Sequence, residues 1–272
     1  MTELSKRPNY RAHIQGLRGV AVLLVVLFHA GLPVSGGFVG VDVFFVISGF
    51  VIAQGIVRGL EKGTFSFQTF YVRRMRRLLP ALTVMLSTVM ALLLLLGPPV
   101  AHHAAGRTGV AAALFNANHY LLLGRGYFDP HVEYNAFLHT WSLSVEEQFY
   151  FAFPLMLFVL WRAGRATSGK TRIIWGIGVV SALSLCLSFW LSYTPRVFRF
   201  SGESLAFYTM VSRAWQFGVG ALISLSAARL AKSPMANVHL VWVGLVMIVA
   251  GSVLFDSSTV FPGDTTLITA AG

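Results

Sequence analysis

Arg18 and His29 stand eleven residues apart in the apolar stretch GLRGVAVLLVVLFHAG. In a helix that offset is about 16 Å of rise and about three turns, so both side chains lie on nearly one face. If the helix crosses a bilayer, Arg18 sits at one surface and His29 lies deep, towards the other. An ionisable residue at that depth is a functional candidate, because burying it is costly. The alternative is a histidine hydrogen-bonded to a neighbouring helix or placed at the far interface. Asp42 follows across a very short connection and is expected near the same membrane face as His29. A carboxylate there would orient the imidazole and raise its basicity; equally, Asp42 reads as an interfacial residue near a helix start.

Two further groups carry chemistry. Ser142 and Glu146 are four residues apart and share a helix face, Glu147 points elsewhere, and Trp141, Phe149 and Tyr150 surround them. A carboxylate entering an apolar helix must pair, accept hydrogen bonds or be protonated. The expected partners are His29 or an arginine. In RRMRR, Arg74 and Arg77 share one face and Arg73 and Arg76 another. Such a cluster binds phosphates bidentately, or anchors the chain at the lipid headgroups.

The elements that must position these residues are long apolar runs. The chain of 272 residues is 56% hydrophobic and 11% charged, with a mean hydropathy of +0.69. A soluble domain carries about 25% charged residues. The spacing predicts membrane helices at about 14–32, 38–57, 78–97, 137–161, 173–193, 206–227 and 239–255. Part of 98–136, GVAAALFNANHYLLL, reads as a further apolar helix in or on the membrane. Arg213 falls in the sixth run and is expected to pair with an acid. The net charge of +11 would suggest nucleic acid in a soluble chain. Here the cations sit between apolar runs, in the tail, the 58–77 segment, 162–172 and 228–238. The positive-inside rule then places those segments and the N-terminus in the cytoplasm. Arg18 and the arginine cluster face inwards, and His29, Asp42 and the start of the fourth run face outwards. One cysteine, Cys186, excludes an internal disulfide and a cysteine metal cluster. The histidines carry no metal spacing.

The stretches QGLRGVAVLLVVLFH, GGFVGVDVFFVISGFVI, FYVRRMRRLLPAL and HTWSLSVEEQFYFAFPL, in this order, resemble the acyltransferase-3 family of inner-membrane O-acyltransferases. That family includes bacterial O-antigen and exopolysaccharide O-acetyltransferases. The resemblance is close over about 10–160 and weaker through RAWQFGVGALIS. It implies transfer of an acyl group, acetyl in the simplest case, from cytoplasmic acyl-CoA to a hydroxyl of an extracytoplasmic polysaccharide or glycolipid. Its basic-x10-His motif falls on Arg18 and His29, its R-x-x-R motif on Arg74 and Arg77, and its Ser-x3-Glu motif on Ser142 and Glu146. The implied roles are catalysis for His29 and Glu146, with Asp42 beside them from the reading above. Arg18, Arg74 and Arg77 would hold the CoA phosphates, and Ser142, Trp141 and Glu147 would support the site. His29 would deprotonate the acceptor or carry the acyl group itself.

The expectation is therefore an all-α polytopic membrane protein of the bacterial inner membrane, with residues 1–272 forming one acyltransferase-3 domain. It has at least seven membrane helices. Against the family's usual ten, the C-terminal part of the domain is expected to be missing, and no SGNH-type domain is expected. No metal and no nucleic acid enter this reading. A proton-coupled transporter using His29, Asp42 and Glu146 as a relay is the rival from another class. An inactive or partner-dependent membrane subunit that keeps the fold is the third reading.

Overall fold

A computed structural model describes residues 12–124, 135–163, 168–230, 234–256 and 259–271. The described residues are almost entirely helical, with a single isolated bridge between Val197 and Phe200. The basic tail before Ala12 and most of the YFDPHVEYN stretch lie outside the described residues.

Seven long helices coincide with the seven apolar runs. They are α1 (Ala12–His29), α2 (Gly40–Glu61), α3 (Phe67–Leu96), α6 (Thr140–Arg162), α7 (Gly169–Ser192), α9 (Met210–Leu230) and α10 (Pro234–Leu254). Between them lie α4 (Pro99–Ala113), α5 (Ala117–Leu122) and α8 (Gly202–Tyr208), with α11 (Thr265–Ala271) after α10. Among the described residues, four stretches are long and apolar enough to cross a membrane: α2 with the turn before it (Gly37–Glu61), α3, α6 and α7. Shorter apolar stretches lie at His13–His29 and Trp242–Leu254. The protein is an all-α, multi-pass membrane protein.

Two boundaries differ from the sequence expectation. The third helix begins at Phe67, so the arginine cluster lies within it rather than before it. Ser66 starts it, its hydroxyl accepting from the Thr69 amide at 3.4 Å, which satisfies one of the open donors of the first turn. The run GVAAALFNANHYLLL is split into α4 and α5 at Leu114–Asn116, where Phe115 takes a left-handed φ of 53°.

The centre of the bundle is the crossing of α2 and α9. Gly49 lies against the Phe217 backbone and Gly220 against that of Val46. A Cβ at either position would collide with main chain, so only glycine permits this approach. Small residues at a crossing are the usual means of packing helices where lipid offers no hydrophobic drive. Around it the rings of Phe45, Phe217, Phe149 and Phe153 stack at centroid distances of 4.5, 4.1 and 4.5 Å. Helix α3 lies outside this core; of its side chains only Leu82 is buried. It runs antiparallel to α6, held by the Phe67–Phe158 ring contact at 5.3 Å and by Tyr71 OH donating to the Phe151 carbonyl at 2.9 Å.

Candidate active site

Helices α3 and α6 bring Arg74 and the two glutamates together. Arg74 is seven residues into α3 and Glu147 seven residues into α6, about 10 Å of rise from each start. Because the helices are antiparallel, the cluster lies about two turns from the start of each, on the RRMRR stretch that precedes the apolar run of α3. Arg74 Nε donates to both carboxylate oxygens of Glu147 at 2.9 Å, and Nη2 also donates to Oε1. The guanidinium lies over the Tyr150 ring, 3.2 Å from its centroid. Glu147 is buried and Glu146 half-buried. Glu146 Oε1 accepts from Ser48 Oγ at 2.5 Å and from Tyr150 OH at 2.8 Å, with Arg74 Nη2 at 3.9 Å. Two carboxylates thus share one guanidinium. Glu146 is held by two hydroxyl donors.

The structure gives the bidentate arginine to Glu147, which the sequence placed on a different face as support. It also corrects the role of Arg74. Phosphate binding was expected, but its Nε and Nη2 donate to Glu147 and its face lies on Tyr150, which leaves Nη1 outside the pair. Arg73, Arg76 and Arg77 remain exposed on α3. Ser48 and Tyr150 were not singled out as site residues. The Glu146–Tyr150 spacing of one helical turn was a signal for the second, whereas Ser48 comes from another helix.

Asp42 is the clearest correction. It does not orient His29. Its carboxylate is fully buried, and Oδ1 accepts from Arg213 Nη1 at 3.0 Å and Gln216 Nε2 at 2.9 Å. Its Oδ2 accepts from Thr269 Oγ1 at 3.1 Å. Arg213 is also fully buried; its Nε donates to the Phe207 carbonyl at 3.1 Å. Its guanidinium lies over the rings of Phe207 and Phe261, each 5.0 Å away, and Trp141, 5.8 Å away. This closed pair joins α2, α9 and α11. Trp141 packs into it, against Phe207 at 4.4 Å, and so supports the scaffold rather than the glutamates.

His29 ends α1 and is exposed. Its Nδ1 lies 2.8 Å from the Val25 carbonyl, one turn back. A carbonyl only accepts, so Nδ1 carries a proton, and in the neutral ring the lone pair is then on Nε2. The backbone thus fixes the tautomer, the task first given to Asp42. His139, at the start of α6, lies within electrostatic range of His29. Protein packed around it, and the charge of a protonated His29, hold its pKa below the ordinary histidine value. Ser142 donates from Oγ to the His139 carbonyl at 3.1 Å, rather than bonding to Glu146. Arg18 is half-buried near the other end of α1, and its buried Nε has no hydrogen-bond partner. Among the described residues, no three His, Cys, Asp or Glu side chains come together in a way that could hold a metal ion.

The acyltransferase-domain family profile matches residues 11–270. The chain belongs to this acyltransferase family. Among its relatives is BcsY of Komagataeibacter xylinus, by name a membrane-bound transacylase, 35% identical over 247 residues. That match takes in 91% of this chain and 59% of BcsY. OatA of Listeria monocytogenes, by name a peptidoglycan O-acetyltransferase, is 30% identical over 202 residues, 73% of this chain and 32% of OatA. Proteins of Staphylococcus aureus named as O-acetyltransferases are 33% identical over 180 residues, 65% of this chain and 29% of theirs. The chain therefore spans less than two thirds of the length of each. No solved structure matches it.

Proposed function

We propose that the protein is a membrane O-acyltransferase. It moves an acyl group, acetyl in the simplest case, from acyl-CoA on the cytoplasmic side to a hydroxyl of an extracytoplasmic polysaccharide or glycolipid. The protein would lie in the bacterial inner membrane with its N-terminus in the cytoplasm, as the distribution of basic residues favours. The observation that carries this reading is the single tautomer imposed on His29 by the Val25 carbonyl. It keeps a nucleophilic lone pair on Nε2, about 16 Å along α1 from the cation Arg18.

In this reading Arg18 and Arg77 meet the phosphates of CoA, and the flexible arm of CoA carries the thioester into the bundle. Glu146 lines the polar part of that path, its charge stabilised by Ser48, Tyr150 and the nearby Arg74. A neutral imidazole at His29 then takes the acyl group or the proton of the acceptor. Base catalysis of this kind contributes about 10²–10⁴-fold. The relay needed by a proton-coupled transporter finds less support. Asp42 is closed off by Arg213, and Glu146 is bonded to Ser48 and Tyr150.

The test is transfer of labelled acetyl from acetyl-CoA in membranes carrying the protein. Label in a glycan or glycolipid, lost in a folded His29→Ala variant, is the expected result. Undiminished transfer by His29→Ala removes His29 from the reaction.

A further inference from the structure

Between α7 and α8 the chain makes a tight hairpin. Thr194 closes α7: its amide donates to the Leu191 carbonyl at 3.1 Å and its Oγ1 to that of Trp190 at 2.5 Å. Val197 and Phe200 then pair as the isolated bridge, each amide donating to the other's carbonyl, at 3.0 and 3.2 Å. Phe198 and Arg199 make the turn between them. Phe198 takes a left-handed φ of 55°, a conformation that two-residue hairpin turns ordinarily assign to glycine or asparagine. A bulky residue there is strained, and backbone strain collects where a segment has a task. Phe198 is also 94% exposed.

The base of the hairpin is firmly held. Phe200 packs against the core, and Ser201 caps α8 by accepting from the Ser204 amide at 3.1 Å. Gly202 lies so close to the Leu191 and Thr194 carbonyls that a Cβ would collide with both. The tip is therefore held out by its base. Arg196 and Arg199 flank Phe198 and are exposed. Arg199 lies over the Phe200 ring at 4.9 Å, and among the described residues neither arginine joins an ion pair. Glu203 is turned to the Phe261 backbone instead.

The level of the tip follows from α7, which is long and apolar enough to cross a membrane. Trp190 and Tyr193, at its end, are both exposed, and such aromatic residues gather at the level of the lipid headgroups. The hairpin starts there. In the orientation proposed above this is the extracytoplasmic surface, from which lysine and arginine are otherwise held back. Two arginines beside an exposed ring suit a partner that carries an anion next to hydrocarbon. At this level a phospholipid supplies both.

We propose that the hairpin is a lipid-docking tip. The Phe198 ring enters the acyl chains at the membrane surface on which α7 ends, and Arg196 and Arg199 hold the phosphate of an anionic phospholipid there. The proposal depends on α7 crossing the membrane and not on the acyl-transfer reaction.

The experiment uses the whole protein in liposomes. The exposed Cys186 is removed as Cys186→Ser, and a bimane fluorophore is attached at Phe198→Cys, a position with no place in the core. The liposomes are phosphatidylcholine with a minor share of phosphatidylglycerol or phosphatidylcholine carrying a nitroxide on its acyl chain. The nitroxide lipids are expected to quench the fluorophore, iodide in the water is not, and phosphatidylglycerol should quench better than phosphatidylcholine. Each arginine should favour the anionic lipid about fivefold, so the double variant Arg196→Ala with Arg199→Ala should lose most of that preference. Quenching by iodide and by neither lipid overturns the proposal, as does equal quenching by the two lipids that the arginine variant leaves unchanged. Shielding from iodide by added alginate, an acidic polysaccharide, with no quenching by lipid would assign the tip to a glycan and overturn it as well.

Discussion

Two acid–arginine groups lie inside this bundle, and they are built differently. Asp42 and Arg213 are both fully buried and matched one to one. Gln216 and Thr269 complete the carboxylate, and three aromatic rings surround the guanidinium. In this group Arg213 Nη2 and Gln216 Oε1 are left buried without a hydrogen-bond partner, but both Asp42 oxygens are taken. Arg74, Glu146 and Glu147 are unmatched, with one cation for two carboxylates, and Arg74 and Glu146 each keep about a quarter of their side-chain surface exposed (24% and 23%). A buried ion pair adds little net stability but is costly to break from one side. An unbalanced, accessible carboxylate on an apolar helix is a functional candidate. The first group holds helices together; in the proposed reaction the second meets the substrate.

The largest expected effect breaks the first group. Asp42→Ala or Arg213→Ala strands a buried charge and should cost about 3–5 kcal/mol. Thermal unfolding in detergent will read it as loss of folded protein. The double variant Asp42→Asn with Arg213→Met should recover much of that loss. If Asp42→Ala instead keeps its unfolding temperature and loses only transfer, Asp42 belongs to the site after all.

A smaller effect is expected at the second group. Arg74→Lys keeps the charge but loses the bidentate fork and the contact with Tyr150. It should cost about 1.5–3 kcal/mol, the value of hydrogen bonds to a charged group. Chemical denaturation measures it, and an unchanged midpoint would show that the fork contributes nothing.

The smallest effect is at Ser142. Loss of its bond to the His139 carbonyl in Ser142→Ala should cost about 1 kcal/mol, with Ser142→Thr close to wild type. A stability loss several times larger would show that Ser142 does more than pin this turn.

The contrast between the groups also marks what the sequence could reveal. The long helices were legible from their apolar runs, though among the described residues four of the seven are long and apolar enough to cross a membrane. The presence of charge in α2, α3 and α6 was legible for the same reason, since each such residue stands out against its run. The partners were not. Asp42 meets Arg213 and Thr269 across 171 and 227 residues of chain, and no local spacing encodes which acid an arginine reaches. Arg213 was expected to find an acid, and Asp42 is that acid. Ser142 and Glu146 share a helical face, but a serine in the first turn has a backbone carbonyl three residues back within reach, and it bonds there instead. His139 stood beside Trp141 in a stretch already read for Ser142 and Glu146.

The central claim is that the unbalanced group serves catalysis and the balanced group serves the fold. The direct measurement is acetyl transfer from labelled acetyl-CoA per folded molecule, with Glu146→Gln and Asp42→Asn side by side. The account predicts that Glu146→Gln folds normally and loses transfer by about 100-fold or more. Asp42→Asn should yield less folded protein, each molecule of which transfers at close to the wild-type rate. Full transfer by Glu146→Gln together with stable but inactive Asp42→Asn would contradict it.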